Sequence, residues 1–563
     1  MVSRLGPPCL PPAIPDGAET RAMLGTGETI MKITRRSTLF TMLATATASL
    51  LPKAARANDG DIRHILPTVT ASSMAVSVSV GKPRTELTLS VGDDRFSGRQ
   101  MDSLGRFWSF QATGLSADTD YTLQLSDIAG ALGPSWSLRT FPDTASMPDQ
   151  FRLLAFTCAG GADGFGVPGR QFFKPHAFRQ KMFEAALADK PDAALAIGDH
   201  IYWDLRGGAM PAVGRRSWVI KHLAGWYLRF RYGAFDRSKA LLGTVNEAVL
   251  TTVGDEQIAD LYGTRFRSTP IYFISDDHDY FENDDAEEDL VTFPPDAFSA
   301  AAFKAVADLY YPTLPDGPSE ATTRSFGVLK YGRLFEGLLL DCAGHLSLGG
   351  EAATLVPPPV ETWITERALE SDAAHFALVP SHPMGWTAGK WREWYPDVVA
   401  PDGFDGVVIN GLMSGDAAGS LTTKAQKYLW QKGWWEQHQR LLTSLSARAG
   451  SRFMLSGDVH AQGAAQIQES GELDLMDRPV TSILVGPVST SDATWPSSAR
   501  GIAADTPDWL KLETLLPTRE VNGLTILNFT PSAASARMIS CGGYDRSLEE
   551  DGRVQQSDEI VVA

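Results

Sequence analysis

Five apolar runs of β character in this chain each end on residues that hold metals or move protons. Arg152–Phe156 leads into Thr157-Cys158, and Ala193–Ile197 into Gly198-Asp199-His200-Ile201-Tyr202. Ile271–Ser275 leads into Asp276-Asp277-His278-Asp279, with Asn283 close behind; Phe376–Pro380 leads into Ser381-His382, and Arg452–Ser456 into Gly457-Asp458-Val459-His460. Short unbroken apolar runs bounded by turn residues read as buried strands. In α/β proteins the loops at the carboxyl edge of a sheet converge on one crevice. Five ligand-bearing ends of this kind point to metal ions.

The residue types narrow the chemistry. A glycine before Asp199 lets the backbone turn sharply off its strand, and the carboxylate has two oxygens with which to bridge two cations. Tyr202, three residues on, can return to the same ion. Its phenol ionises near pH 10, so it serves as a ligand mainly to a very acidic cation such as ferric iron. Such a cation would also deprotonate the Cys158 thiol. Alone, Tyr202 reads as a strand-end aromatic and Cys158 as a small buried hydrophobe; beside Asp458 and His460 those bland readings lose. Asp458 and His460, two apart on an extended loop, project to one side and reach adjacent ions. Asn283 offers a neutral oxygen and His382 an imidazole, although Ser-His-Pro also reads as a plain tight turn. Nine of the fourteen residues from Asp276 to Asp289 are acidic, and most of them read as a solvated loop. Asp277, His278 and Asn283 stand out from that run.

With 563 residues, the chain is long enough for two or more domains. Its formal charge is −17; residues 1–57 hold seven Lys/Arg and three Asp/Glu, so the remainder carries −21. That sign gives no help in binding nucleic acid or an anionic membrane. The N-terminus reads as an address. Residues 1–30 look like an upstream extension, with Met31 the natural start. Arg35-Arg36 precede a mildly apolar run and Pro52-Lys53-Ala54-Ala55-Arg56-Ala57, the pattern of a twin-arginine export signal over 31–57, cleaved after Ala57. The expectation is a periplasmic or secreted protein, folded before export by the twin-arginine machinery, with no membrane span after cleavage. Beyond the signal only Cys158, Cys342 and Cys541 remain, too few for a disulfide framework.

Residues 58–147 alternate in short β-like runs, and Gly114 to Tyr121 reads as the turn and tyrosine corner of an immunoglobulin- or fibronectin-like sandwich. Its bland role is that of a spacer or lid. From 151 to 545 strands alternate with helices, such as Ala177–Asp189 and the Trp-rich Gln426–Ala447. Strands arrive in two batches, which suits an α/β domain of two packed sheets flanked by helices. Residues 546–563 read as a loosely ordered acidic tail.

In order and spacing, Cys158, Gly198-Asp199-His200-Ile201-Tyr202, the Asp276 to Asp284 element and Gly457-Asp458-Val459-His460 resemble the PhoD-type alkaline phosphatases. These are a branch of the calcineurin-like metallophosphoesterases, and the likeness spans nearly the whole chain beyond the signal. The resemblance implies that Cys158, Asp199, Tyr202 and His460 hold ferric iron. Asp199 would bridge to a calcium site made with Asn283 and Asp458; a zinc or manganese pair is the alternative. It implies hydrolysis of a small phosphorylated substrate, a phosphomonoester, through a metal-bound hydroxide, with His278 and Asp199 in catalytic roles. Many family members place the asparagine four residues after the histidine, whereas Asn283 follows His278 by five. His382 matches an isolated histidine of the wider superfamily. Phosphodiester hydrolysis, or a phospholipase D-like activity, uses the same centre and is the first alternative. A non-catalytic surface binding protein is the second.

Overall fold

Three parallel strands, β1 (Phe151–Thr157), β2 (Ala193–Ile197) and β3 (Ile271–Ile274), lie side by side in the order β3-β2-β1. The computed structural model describes residues 61–167, 170–171, 173–202, 229–281, 286–287, 290–291, 294–318, 324–347, 352–383, 432–490, 510–541, 554–556 and 559–563. Every residue of β2 and β3 is buried, as expected of parallel strands covered on both faces. Antiparallel strands Asn522–Thr530 and Ala533–Cys541 extend this sheet beyond β1. The chain end closes it: Val554–Gln556 and Ile560–Val561 both pair with Ala533–Cys541, and Val562 is buried. For residues 554–556 and 559–563 the expected loose tail is thus corrected. Its last apolar, largely β-branched residues find a sheet edge to pair with.

A second sheet carries the parallel strands β4 (Phe335–Leu340), β5 (His375–Pro380), β6 (Ser451–Ser456) and β7 (Val480–Val485). Phe326–Tyr331 flanks β4, Gln462–Ser470 flanks β7, and the long strand Leu510–Arg519 pairs with Gln462–Ser470 in turn. The two sheets pack face to face through residues such as Leu153, Leu195, Val379, Leu455 and Ile483. Phe529 sits at their junction, 4.7 Å from the ring of Phe335 and 5.5 Å from that of Phe453. Helices α1 (His176–Leu187), α2 (Val245–Gly254), α3 (Ala297–Tyr310), α4 (Pro358–Glu370) and α5 (Lys432–Ala447) supply the rest of the core. In α5, Trp434 is buried and its indole N–H donates to the carbonyls of Ser347 and Thr354. It is a packing residue, and Trp430 lies outside the described residues. No helix among the described residues is long and apolar enough to cross a membrane.

Residues 62–139 form two antiparallel sheets. Ile62–Val69 and Ser73–Val80 pair as a hairpin, because Thr70 and Ser73 close a turn. The Tyr121 hydroxyl accepts the Ser116 N–H at 2.8 Å. These sheets are fastened to the larger domain. Tyr272 of β3 donates its hydroxyl to the Val69 carbonyl, and Leu66 and Phe107 join the same core as α3. Arg106 pairs with Asp255 at 2.7 Å and Arg63 with Asp260 at 2.7 Å.

Candidate metal centre

The carboxyl ends of β1, β2 and β3 in one sheet, and of β5 and β6 in the other, bring Cys158, Asp199, Tyr202, His382, Asp458 and His460 to one place. Cys158, Asp199, Asp458 and His460 all have left-handed backbones, with φ of 50°, 61°, 67° and 50°. Non-glycine residues adopt that conformation at a cost of about 1–3 kcal/mol, and such positions cluster at functional sites. Each kink turns a side chain off its strand and into the cluster.

Three groups of donor atoms form there, each within 4.8 Å of one another: Cys158, Asp199 and His460; Asp199, Asp277 and His278; and Asp276, His382 and Asp458. In the first, the Tyr202 hydroxyl donates to Asp199 Oδ2 at 2.7 Å, and the Cys158 thiol lies 3.3 Å from the same oxygen. Burial, and next the Asp199 charge, push both the Cys158 thiol and the Tyr202 phenol well above their usual pKa. A thiol, a phenol, a carboxylate and an imidazole around one point form a donor set that suits a highly charged cation, whose field would reverse those shifts. In the third group, His382 Nδ1 lies 2.8 Å from Asp276 Oδ1, and both side chains are fully buried. Buried carboxylates at this density also call for compensating positive charge.

Asp199 belongs to two groups, the second with Asp277 and His278, while Asp458 groups with Asp276 and His382. Asn283 lies outside the described residues. His278, expected to act on protons, sits among donor atoms, its ring tilted 39° against the Tyr202 ring at 4.2 Å.

Two residues of the acidic run do work that its composition hid. Asp276 is a member of the third group. Asp279 is buried and accepts four backbone N–H groups: Asp199 and Asp276 through Oδ2 at 2.9 Å each, and His200 and Ile201 through Oδ1 at 2.7 and 3.0 Å. Burial raises its pKa, and the neighbouring His200 ring and the N–H groups of Asp276, His200 and Ile201 oppose the shift. The available signal was the position of these aspartates directly after a strand, with spacing for a reciprocal cap across Asp276 and Asp279. Behind the first loop, Arg179 of α1 is fully buried and donates to the carbonyls of Ala159, Gly160, Gly161 and Ala162.

No protein-family model matches the chain, and no curated protein matches it. Among solved structures, one of PhoD matches 89% of this chain and 90% of its own, at 13% identity and a TM-score of 0.56. A purple acid phosphatase from yellow lupin (Lupinus luteus) seeds matches 88% of this chain and 73% of its own, at 12% identity and a TM-score of 0.48. The extent of the first match gives the conclusion: this chain has the PhoD-like fold.

Proposed function

We propose that this chain is a metal-dependent phosphoester hydrolase that acts on phosphomonoesters. The observation that carries the reading is the buried cluster of thiol, phenol, carboxylate and imidazole donors gathered from five strand ends on a PhoD-like fold. Cys158, Asp199, Tyr202 and His460 would hold the first cation. Asp458, His382 and Asp276 are placed to hold a second, and Asp277 and His278 adjoin Asp199. When bound, two cations offset the charge of the phosphoryl oxygens and ionise a water. The chain's own part is to fix the donors. Asp279 and Arg179 hold the Asp199 and Cys158 loops from behind. His278, only partly buried, is the residue positioned to pass a proton to the departing alkoxide. Ferric iron is the metal that the Cys158–Tyr202 donors favour; calcium at the other position rests on the resemblance alone, because the His382 imidazole there suits zinc or iron better.

Three further readings rest on the sequence and are part of the proposal. Residues 31–57 direct twin-arginine export, and the mature protein works in the periplasm or outside the cell. Residues 62–139 are an immunoglobulin- or fibronectin-like sandwich, a reading that the Tyr121–Ser116 bond supports. The larger domain begins at residue 151.

The test compares a chromogenic phosphomonoester with a bis-aryl phosphodiester at alkaline pH, with the native metals retained. Monoester hydrolysis that disappears in Asp199→Ala is the expected result. Activity on the diester alone would replace this reading with the phosphodiesterase one. Metal-loaded protein inert towards both esters would leave a binding protein.

A further inference from the structure

Between α2 and the short turn Asp260–Tyr262, the helix widens into a π turn over Asp255–Ala259, the one such turn among the described residues. π turns are rare, and where they occur they often serve a functional site. This one carries Gln257, which is fully buried. Its Oε1 accepts the N–H of Gly161 at 2.7 Å and the N–H of Tyr202 at 2.7 Å, and its Nε2 donates to the Tyr202 carbonyl at 3.1 Å. Two N–H donors on one side and a carbonyl on the other fix which end of the amide is oxygen.

The two bonded segments are the ligand loops themselves. Gly161 lies three residues after Cys158, and Tyr202 lies three after Asp199. Gln257 grips the Tyr202 residue from both its N–H and its C=O, as a neighbouring strand would. It thereby restricts the backbone from which the phenol reaches Asp199 Oδ2. A Cβ on Gly161 would run into the Phe173 ring, and that ring packs 4.9 Å from Tyr202. The loops therefore meet at a tight joint, and Gln257 is its polar pin. The adjacent Glu256 grips the same region, since its Oε1 accepts the Asp163 N–H at 3.1 Å.

We infer that Gln257 is a positioning residue for the metal centre proposed above. It sets where Tyr202 and Cys158 stand relative to each other, and so how tightly a cation is held between them. The inference rests on the phosphoesterase reading only through the claim that these two residues bind a cation.

The test strips metal from the full chain and titrates it with ferric iron delivered as a weak chelate, with zinc in a parallel arm. Gln257→Met keeps the side-chain length and removes all three bonds. Gln257→Glu keeps both accepted bonds and loses the donated one. Loss of a residue that orients a metal ligand typically lowers affinity 10- to 100-fold. Gln257→Met should therefore bind at least about tenfold more weakly and shift the tyrosinate-to-iron absorption band, with Gln257→Glu in between. In a Tyr202→Phe background, the loss caused by Gln257→Met should shrink at least about threefold, because part of its action runs through the phenol. Wild-type affinity and an unchanged band in both Gln257 variants would overturn the inference, as would an equal loss in both backgrounds. If Gln257→Met does not fold, Gln257→Glu decides alone, by the same band and affinity. Wild-type protein that takes up neither cation would overturn the metal-centre reading itself, an outcome distinct from normal uptake with indifferent variants.

Discussion

A single methyl group tests the strand-end geometry. Gly198 precedes Asp199 with φ of +73°, and a Cβ there would lie inside the contact radius of Asp276 Cβ and 3.3 Å from Asp276 N. Asp276 is fully buried beside His382, so it has no solvent to retreat into. Two costs therefore add in Gly198→Ala: about 1–2 kcal/mol for a left-handed alanine and about 1–3 kcal/mol for overpacking. Two other glycines separate them. Gly114 has φ of +77° with nothing within 4 Å of a new Cβ, so Gly114→Ala should cost only about 1–2 kcal/mol. Gly457 has ordinary φ, but its new Cβ would collide with Thr157 Oγ1 and come 2.8 Å from the Ile197 carbonyl, so Gly457→Ala should cost about 1–3 kcal/mol. Gly198→Ala should approach the sum, about 2–5 kcal/mol. Urea unfolding of the metal-free chain, followed by tryptophan fluorescence, measures all three. The Gly198 and Gly457 variants should also lose metal affinity, and Gly114→Ala should not. A Gly198→Ala protein as stable as Gly114→Ala, with undiminished metal binding, would refute the close approach of the β2 and β3 loops.

Two further predictions follow from buried polar groups. Asp279→Asn replaces one of two oxygens that each accept two N–H groups, leaving two buried donors without an acceptor. At about 1–3 kcal/mol for each, unfolding free energy should drop by about 2–6 kcal/mol, and a drop below about 0.5 kcal/mol would contradict the described network. His64 is held down to about 3, chiefly by burial and next by Arg63. The folded chain thus refuses a proton that the unfolded chain takes up below about 6.5. Its contribution is present above pH 6.5 and is lost as pH falls towards 3, at up to about 1.4 kcal/mol per unit. Between pH 6.5 and 5 the stability of His64→Gln should fall less steeply than that of wild type. Parallel slopes would refute the assignment.

The strands that position the site were legible because parallel central strands are apolar without interruption: Ala193–Ile197 could scarcely be anything else. Leu510–Arg519 was not, since its exposed Lys, Glu, Thr and Arg residues carry no periodic signal and its pairing with Gln462–Ser470 is irregular in register. Candidate ligands were legible where a metal-binding residue type ended a strand, as at Cys158 and Asp458. Asp276 and Asp279 were hidden inside an acidic run, where charge alone argues for solvent. Gln257 had no signal, because its role exists only in bonds to residues 55 and 96 positions away.

The ion pairs between the small antiparallel sheets and the larger domain end on Asp255 and Asp260, which bracket the turn bearing Gln257. From the other side, Tyr310 of α3 donates its hydroxyl to Asp255 at 2.8 Å. A chain trimmed to begin at residue 150 would therefore lose more than an appendage. Both aspartates would face outward without their guanidinium partners, and Tyr272 would present an unmatched hydroxyl on bared apolar surface. The helix turn would be anchored on one side only. The arginines of the small sheets thus brace, at second hand, the Gln257 turn and through it the Gly161 and Tyr202 loops.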